Sequence, residues 1–371
     1  MYSILMFLLF LIFFSRNILF VIGAFIEKLK NSYFEHPDYN PFVSVIVPAR
    51  NEENNIERCI NSIMMSSYPA KNFELIVVND RSTDSTGIIL EGLKDKYTNL
   101  IIYTVTENNR NKNLQGKAGA LQSGIETAKG EIVLMTDADC IVNTDWIKTV
   151  VSYYSDDNVA MVPAFTIIDD FRPFQRIQAI EWIFMHSMAS AGIALNQPLG
   201  CYGNNLSIRR KVYNDMGGYE KIKFSVTEDL ALVQATYKTG KKIKYLCSEA
   251  SSVITYPVEN FLEYIKQRHR WAIGGMGLRW RAVVFVICTV AMWINLLLSI
   301  IFKDPLWFTI TLSARILGDF ALEFPSFVAL KRKRFALWSI PATLFFMFME
   351  LVVPLLLLKK SVVWKGQVFR K

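Results

Sequence analysis

Apolar segments long enough to cross a membrane lie at both ends of the chain. Residues 4–26 are nearly all apolar, and residues 283–302 and 335–358 repeat this pattern near the C-terminus. A membrane-spanning helix needs about 20 such residues. No basic residue precedes the first segment and no small-x-small cleavage site is evident, so we interpret it as an uncleaved anchor rather than a signal peptide. The mean hydropathy of +0.24 agrees with a membrane protein.

The number of crossings near the C-terminus stays open. Residues 306–330 are apolar but carry three charged residues, and the basic stretch 331–334 follows them. Basic loops remain in the cytoplasm, and the basic residues that flank residues 28–281 place that part of the chain there too. If residues 306–330 cross the membrane, the basic tail falls on the opposite side, against the same rule.

These segments divide the chain into three predicted regions. Residues 1–30 form an N-terminal transmembrane anchor, residues 31–281 a cytoplasmic domain, and residues 282–371 a C-terminal transmembrane region. The net charge is +8, and much of the excess flanks the apolar segments, which favours an anionic membrane surface over nucleic acid as the partner. The five cysteines form no CxxC pair, and the three histidines have no ligand spacing, so zinc is not predicted.

Short apolar runs alternate with amphipathic stretches in the first half of the cytoplasmic domain. Strands are predicted at residues 43–47, 74–78, 100–105 and 131–135, and helices at residues 54–65, 85–97 and 117–128. Strands that alternate with helices indicate an α/β fold with a mainly parallel sheet. Ligands bind such sheets outside the carboxyl ends of the strands.

Acidic residues follow three of these four strands. The first strand is followed by Glu52 and Glu53, the second by Asp80 and Asp84, and the fourth by Asp137 and Asp139. A helix cap explains any one of them, because each turn also opens a helix. Three acidic clusters on one edge repel each other, which predicts a bound cation or a ligand rich in hydrogen-bond donors. Neither GxGxxG nor GxxxxGK[ST] occurs, which disfavours a dinucleotide-binding fold and a P-loop NTPase.

Six motifs occur in the order found in family 2 glycosyltransferases. They are VSVIVPARNEE, ELIVVNDRSTDST, GKAGAL, MTDADC, VTEDLAL and QRHRW. The chain resembles this family over roughly residues 43–275, and in particular its membrane-bound branch, which includes cellulose, chitin and hyaluronan synthases and ceramide glucosyltransferases. The resemblance implies a GT-A fold, which is a Rossmann-like, mixed and mainly parallel sheet with flanking helices. It also implies a nucleotide-diphosphate sugar donor, a divalent metal and inversion at the anomeric carbon.

The motif MTDADC predicts a metal site. Asp137 and Asp139 point the same way in an extended chain, and their oxygens suit Mg²⁺ or Mn²⁺, which also keep phosphate and water ligands. The metal would neutralise the leaving diphosphate. A helix cap is the alternative for Asp139. The resemblance further implies a set of donor-binding residues, namely Pro48, Glu52, Asp80, Lys117, Asp137, Gln267 and Arg270.

Asp229 of the TED sequence resembles the catalytic base of the family, and Glu228 stands beside it. An inverting transfer needs one base for the proton of the acceptor hydroxyl. Both acids also suit the first turn of a helix. In the QxxRW pattern, Gln267 and Arg270 share one helix face, and Arg270 suits a diphosphate. Trp271 offers a flat face to an acceptor sugar, with an interfacial aromatic–basic cluster as the alternative.

Two further stretches are candidates for the acceptor side. Residues 174–192 are amphipathic, and either a helix on the membrane surface or a core helix explains them. Residues 200–210 resemble an acceptor-side loop of the family. Its candidate acceptor-binding residues are Asn204, Asn205 and Arg209.

The prediction is an inverting membrane glycosyltransferase with its catalytic domain in the cytoplasm, at a bacterial inner membrane. It moves a sugar from a UDP-sugar, with GDP open, to a lipid or membrane-associated saccharide. Little chain follows residue 275 and no FxVTxK segment occurs, which favours transfer of one or a few sugars. The alternatives are a processive polysaccharide synthase subunit and a catalytically silent nucleotide-sugar-binding scaffold. The oligomeric state is not predicted.

Overall fold

The chain forms two compact units. The computed structural model describes residues 1–31, 39–109, 111, 113–114, 116–169, 172–223, 225–358, 361–364 and 367–370. One unit, here the helical unit, combines Met1–Leu29, Asp170–Leu199 and Val258–Lys371, and the other, here the sheet unit, combines Lys30–Asp169 and Gly200–Pro257. The predicted boundaries at residues 30 and 281 stay predictions, and the compact units divide the chain differently.

The strands of the sheet unit form one large and one small sheet. They are β1 (Val43–Ala49), β2 (Phe73–Asp80), β3 (Leu100–Val105), β4 (Ile132–Met135), β5 (Ile141–Val142), β6 (Val159–Pro163), β7 (Thr166–Ile168), β8 (Leu206–Arg209), β9 (Lys242–Ile243) and β10 (Val253–Thr255). The large sheet has the order β3-β2-β1-β4-β8-β6-β9, and the small sheet the order β5-β10-β7. Strands β1 to β4 are parallel, whereas β8 is antiparallel to both β4 and β6. The predicted mixed, mainly parallel sheet is therefore confirmed.

The helices of both units are numbered along the chain. The helical unit contains α1 (Tyr2–Asn31), α6 (Pro173–Ala194), α10 (Phe261–Gly275), α11 (Trp280–Ile301), α12 (Pro305–Ala329) and α13 (Ser339–Leu356). The sheet unit contains α2 (Ile56–Met64), α3 (Thr86–Lys94), α4 (Lys117–Thr127), α5 (Trp146–Ser152), α7 (Arg210–Asp215), α8 (Gly218–Lys221) and α9 (Glu228–Lys238). Short 3-10 helices span Ala70–Asn72, Tyr153–Ser155, Met276–Leu278 and Lys333–Trp338, and the chain closes with the antiparallel pair β11 (Ser361–Trp364) and β12 (Gln367–Arg370).

Strands β1 and β2 are interior strands of the large sheet, and their residues are mostly apolar on both faces. Val45 and Val77 are fully buried, as expected for central parallel strands. Helix α4 packs closely against them at Gly124, where an added Cβ would lie 2.6 Å from Ile46 Cγ2 and 3.0 Å from Val78 Cγ2. This close approach fixes the position of α4, and therefore the position of Lys117, which begins the helix.

Three helices of the helical unit are long and apolar enough to cross a membrane, judged by length and composition. They are Tyr2–Leu29, Trp280–Ile301 and Lys333–Leu356. They confirm the predicted apolar helices at both ends of the chain. The amphipathic stretch 174–192 lies in α6, which is buried along most of its length, in agreement with the core-helix alternative.

Helix α12 has 25 residues, a similar length to these three, but its charged residues are buried. Arg315 is 1% exposed, and its Nε donates to Asp319 Oδ2 at 2.8 Å. Its Nη1 donates to Glu350 Oε1 of α13 at 2.6 Å, and Trp293 Nε1 of α11 donates to Glu350 Oε2 at 3.3 Å. An arginine can lie among apolar helices only when it is paired in this way.

Candidate functional site

The loops that follow β1 and β2 are joined to each other. The Asn51 side-chain oxygen accepts a hydrogen bond from the Thr83 N–H at 2.8 Å, and the Glu52 N–H donates to the Thr86 hydroxyl at 2.8 Å. Asn51 has a φ of 55°, in the left-handed region that asparagine tolerates better than most residues. Pro48 lies in β1 and is partly exposed. Two predicted donor-binding residues, Pro48 and Glu52, thus lie at the carboxyl edge of the sheet.

Asp80 ends β2 at the same edge, and its carboxylate forms an ion pair with Arg81. Arg81 Nε donates to Asp80 Oδ1 at 2.8 Å, and Nη2 donates to Oδ2 at 3.3 Å. Arg81 also forms an ion pair with Glu107 at 3.4 Å. Its φ of 56° is uncommon for a residue with a β-carbon. A nucleobase that bound Asp80, as the resemblance implies, would share its carboxylate with Arg81 or replace Arg81 there.

Asp137 and Asp139, the metal ligands predicted from the sequence, follow β4. Burial, and then the charges of Asp137 and Glu52, raise the pKa of Asp139 to about 6. A divalent cation would relieve this repulsion. Mg²⁺ is usually held by one or two carboxylates, with phosphate and water as further ligands, so this pair fits such an ion. Within the described ranges, no three His, Cys, Asp or Glu side chains are grouped as a complete metal site.

Lys117 connects the acids after β4 to the acids of the TED sequence. It begins α4, its ammonium forms an ion pair with Asp137, and it lies 3.6 Å from Glu228 Oε1. Burial alone would lower the pKa of Lys117, but the charges of Asp137 and Glu228 outweigh this effect and raise it. The lysine is therefore a cation at physiological pH.

Asp229 is held in one orientation at the start of α9. Its Oδ2 accepts a hydrogen bond from the Gly203 N–H at 2.9 Å, and its Oδ1 accepts one from the Leu230 N–H at 2.8 Å. Burial, and then the neighbouring charge of Glu228, raise the pKa of Asp229 to about 6. At neutral pH the side chain is thus an oriented carboxylate that can accept a proton, which is what a general base requires.

Three of the four predicted acceptor-binding residues, Asn204, Asn205 and Arg209, are engaged inside the sheet unit. Asn205 donates to two backbone carbonyl groups, at 2.7 and 3.0 Å, and Asn204 Oδ1 accepts from the Thr166 hydroxyl at 2.9 Å. Arg209 forms an ion pair with Glu131 and donates to a backbone carbonyl at 2.8 Å. These partners favour a structural role, and binding of the acceptor by these residues stays a prediction.

The QxxRW residues belong to the helical unit, whereas the acids belong to the sheet unit. Gln267 accepts a hydrogen bond from Arg268 at 3.0 Å, and Arg268 also lies 4.1 Å from the centre of the Trp271 ring. Arg268 is buried and forms a two-bond ion pair with Glu181 of α6. The predicted roles of Gln267, Arg270 and Trp271 stay predictions. The buried arginine of this motif is Arg268, which the QxxRW spacing does not single out.

Three contacts of the site have no counterpart in the sequence analysis. They join Arg81 to Asp80, Gly203 to Asp229 and Lys117 to Glu228. The first depends on a backbone conformation and the other two on long-range packing, neither of which has a local sequence signal. Of these contacts, the sequence indicates only the second, through Gly203, because a glycine allows close approach of the backbone to another group.

Two sequence families match the chain. The family described as "Glycosyl transferase family 2" matches residues 44–217. The family described as "Glycosyl transferase family group 2" matches residues 132–350, which is more than half of the chain.

Curated relatives and a solved structure are also similar. "Probable glycosyltransferase YdaM" of Bacillus subtilis is 30% identical over 238 residues, which is 63% of this chain and 55% of the relative. "Beta-monoglucosyldiacylglycerol synthase" of Nostoc sp. is 28% identical over 242 residues, which is 63% of this chain and 49% of the relative. The chain thus spans about half the length of these two relatives. A similar solved structure is "Mannosyltransferase PcManGT from Pyrobaculum calidifontis in complex with GDP-Man and Mn2+". Its superposition on this chain has a TM-score of 0.61 at 18% identity and includes 93% of this chain and 99% of the mannosyltransferase chain. The two proteins therefore share a fold.

Proposed function

The chain belongs to glycosyl transferase family group 2, and we propose on this basis that it transfers a sugar from a nucleotide-diphosphate sugar to a lipid or membrane-associated saccharide. The observation that carries the proposal is the orientation of Asp229 by two backbone amides, beside a lysine that is paired with the acid after β4. A candidate base, a positive charge and two candidate metal ligands thus belong to the same unit, which supports the proposal.

Asp229 is the proposed base of a single displacement. It accepts the proton of the acceptor hydroxyl, the acceptor oxygen forms a bond to the anomeric carbon, and the bond from that carbon to the diphosphate breaks. The configuration at this carbon is inverted because there is one displacement. The Gly203 and Leu230 amides keep the carboxylate pointed at the reacting hydroxyl. Glu228 contributes by raising the pKa of Asp229, and therefore its strength as a base.

Asp137 and Asp139 are the proposed ligands of Mg²⁺ or Mn²⁺. A bound metal would supply positive charge to the leaving diphosphate. Lys117, which pairs with Asp137 in this structure, is the proposed source of a second positive charge from the protein itself. Asp80 and Glu52 are the proposed contacts of the nucleoside, with Pro48 beside them in β1.

A membrane-held acceptor is supported by the three helices of membrane-spanning length. The similarity to a β-monoglucosyldiacylglycerol synthase favours a glycolipid product. We further propose that the sheet unit works on the cytoplasmic side, and the basic residues that flank residues 28–281 support this location.

Product analysis tests this proposal. The full chain, purified in detergent, is incubated with UDP- and GDP-sugars, membrane lipids and Mn²⁺, and the products are measured by mass spectrometry. We expect a mass increase of one sugar on a lipid, with a UDP-sugar as donor. A ladder of long saccharide chains would contradict transfer of one or a few sugars. A reaction restricted to GDP-sugars would contradict the prediction that the donor is a UDP-sugar.

The pKa of Asp229 leads to a pH prediction. A base acts in its ionised form, and the carboxyl has a pKa of about 6, so kcat/KM should fall about tenfold per pH unit below pH 6 and be level above it. The profile is measured at two saturating Mn²⁺ concentrations, because a loss caused by protonation of a metal ligand shifts with metal concentration and a loss at the base does not. An unchanged kcat/KM down to pH 5 would exclude this assignment.

A further inference from the structure

Lys117 already supplies a positive charge to the acids around the proposed metal site. Its ammonium contacts Asp137 and lies 3.6 Å from Glu228, and the side chain is only 13% exposed. A Cβ added to Gly203 would lie 3.3 Å from Lys117 Nζ and 3.3 Å from Asp229 Cβ. The ammonium is therefore packed among Asp137, Glu228 and Asp229, here called the acidic cluster. The absence of a side chain at Gly203 makes room for it.

A divalent ion and this ammonium would compete for Asp137. Two positive charges on one carboxylate repel each other, and water screens the repulsion poorly around a mostly buried side chain. A metal that binds Asp137 and Asp139 therefore weakens the pairing of Lys117 with Asp137 and favours a shift of the ammonium to another anion. Glu228 is within reach as the second partner of the ammonium, so a small movement is sufficient.

We propose that Lys117 is the internal counter-ion of the acidic cluster, which competes with the divalent metal for Asp137 and moves to Glu228 and the donor diphosphate when the metal binds. This inference rests on the proposed function and deepens it. Lys117 holds the acids together before substrate arrives. The donor then provides a new anionic partner for the displaced ammonium, so metal and nucleotide bind more tightly together than separately.

Two simpler roles predict different effects of removing this lysine. If Lys117 only contacts the donor diphosphate, its removal leaves metal binding unchanged when no nucleotide is present. If Lys117 only supports the fold, its removal distorts the cluster and weakens metal binding. A competing counter-ion has the opposite effect, because its removal strengthens metal binding.

Mn²⁺ binding without nucleotide separates these roles. The free Mn²⁺ signal in electron paramagnetic resonance is titrated against the full chain in detergent. We expect Lys117→Met to bind Mn²⁺ roughly tenfold more tightly than the wild type, and Lys117→Arg, which keeps the charge, to stay within about threefold of it. Lys211→Met is the matched control, since Lys211 is 78% exposed on α7, and its Mn²⁺ affinity should equal that of the wild type. Unchanged or weaker binding by a folded Lys117→Met protein would overturn the inference.

A second pair of variants guards against misfolding, because removal of Lys117 alone leaves Glu228 without this cation. Glu228→Gln is compared with the double variant Lys117→Met/Glu228→Gln, in which the facing charges are removed together. The double variant should bind Mn²⁺ roughly tenfold more tightly than Glu228→Gln alone. Equal affinities in this pair would refute competition by Lys117.

The same titration with UDP present separates failure of this inference from failure of the proposed function. Wild-type protein should bind Mn²⁺ more tightly with UDP than without it, and Asp139→Ala should lose this gain. If the wild type shows no Mn²⁺ binding even with UDP, the proposed metal site is wrong. If UDP strengthens Mn²⁺ binding but the lysine variants leave the affinity without UDP unchanged, only the role of Lys117 is wrong.

Discussion

Asp229→Asn is expected to lower kcat by at least about a hundredfold while donor binding is retained. A positioned general base contributes about 10²–10⁴-fold to the rate, and an amide cannot take up the proton at neutral pH. The substitution also has a local cost. Both Asp229 oxygens accept backbone N–H bonds, so an asparagine places its NH₂ group against one of those donors.

The measurement therefore combines kcat from product formation, UDP affinity from calorimetry and a check that the variant remains folded. Asp215→Asn is the matched control, because Asp215 is exposed and paired with Lys211 on α7, and it should keep the wild-type kcat. If Asp229→Asn retains full activity, Asp229 is not the base. Loss of kcat with UDP affinity preserved is the combination that a base predicts and a silent sugar-nucleotide-binding scaffold does not.

Arg315→Met is expected to lower the free energy of unfolding by about 3–5 kcal/mol, the usual effect of breaking a buried ion pair by removing one partner. Arg315 is fully enclosed by α11, α12 and α13, with Asp319 and Glu350 on its guanidinium. Its removal leaves Asp319 buried and charged without this cation. The loss is measured by reversible unfolding in detergent.

Removing the partners as well should reverse most of this loss. Buried ion pairs can be replaced by apolar residues of similar volume at little cost, so the triple variant Arg315→Met/Asp319→Leu/Glu350→Met should recover stability over Arg315→Met alone. Lys303→Met, on the exposed turn before α12, serves as the control and should change stability little. A free energy of unfolding for Arg315→Met within about 1 kcal/mol of the wild type would contradict a buried pair of this kind.

The strands were predictable because burial on both faces leaves a direct trace in the sequence. Strands β1 to β4 appear as apolar runs, and their acids appear just beyond them. The antiparallel insertion of β8 between β4 and β6 was not predicted, because β8 lies about 75 residues from β4 and about 45 from β6 along the chain and leaves no periodicity of its own.

The site was predictable in its residue types and only partly in its contacts. Asp137, Lys117 and Glu228 were all selected from motifs, but their meeting at one ammonium depends on how closely α4 packs at Gly124. The QRHRW motif is a second case in which the sequence does not determine the contacts. Arg268 and Arg270 stand two positions apart, which on a helix puts them on different faces, and only the contact with Glu181 of α6 decides that Arg268 turns inward.

The way the two units are assembled from the chain limits how the protein can be taken apart. The helical unit uses three separate stretches, and its middle stretch, with α6, lies in sequence between the two halves of the sheet unit. Within the helical unit, the hydroxyls of Ser187 of α6 and Ser326 of α12 form a hydrogen bond, and the Phe184 ring packs at a tilt against Phe346 of α13. A fragment excised between residues 30 and 257 therefore carries an uncovered apolar helix and is prone to aggregate. The same exposure arises during synthesis, because α6 leaves the ribosome long before the C-terminal helices that cover it. Until those helices are made, the lipid bilayer or a chaperone must shield α6.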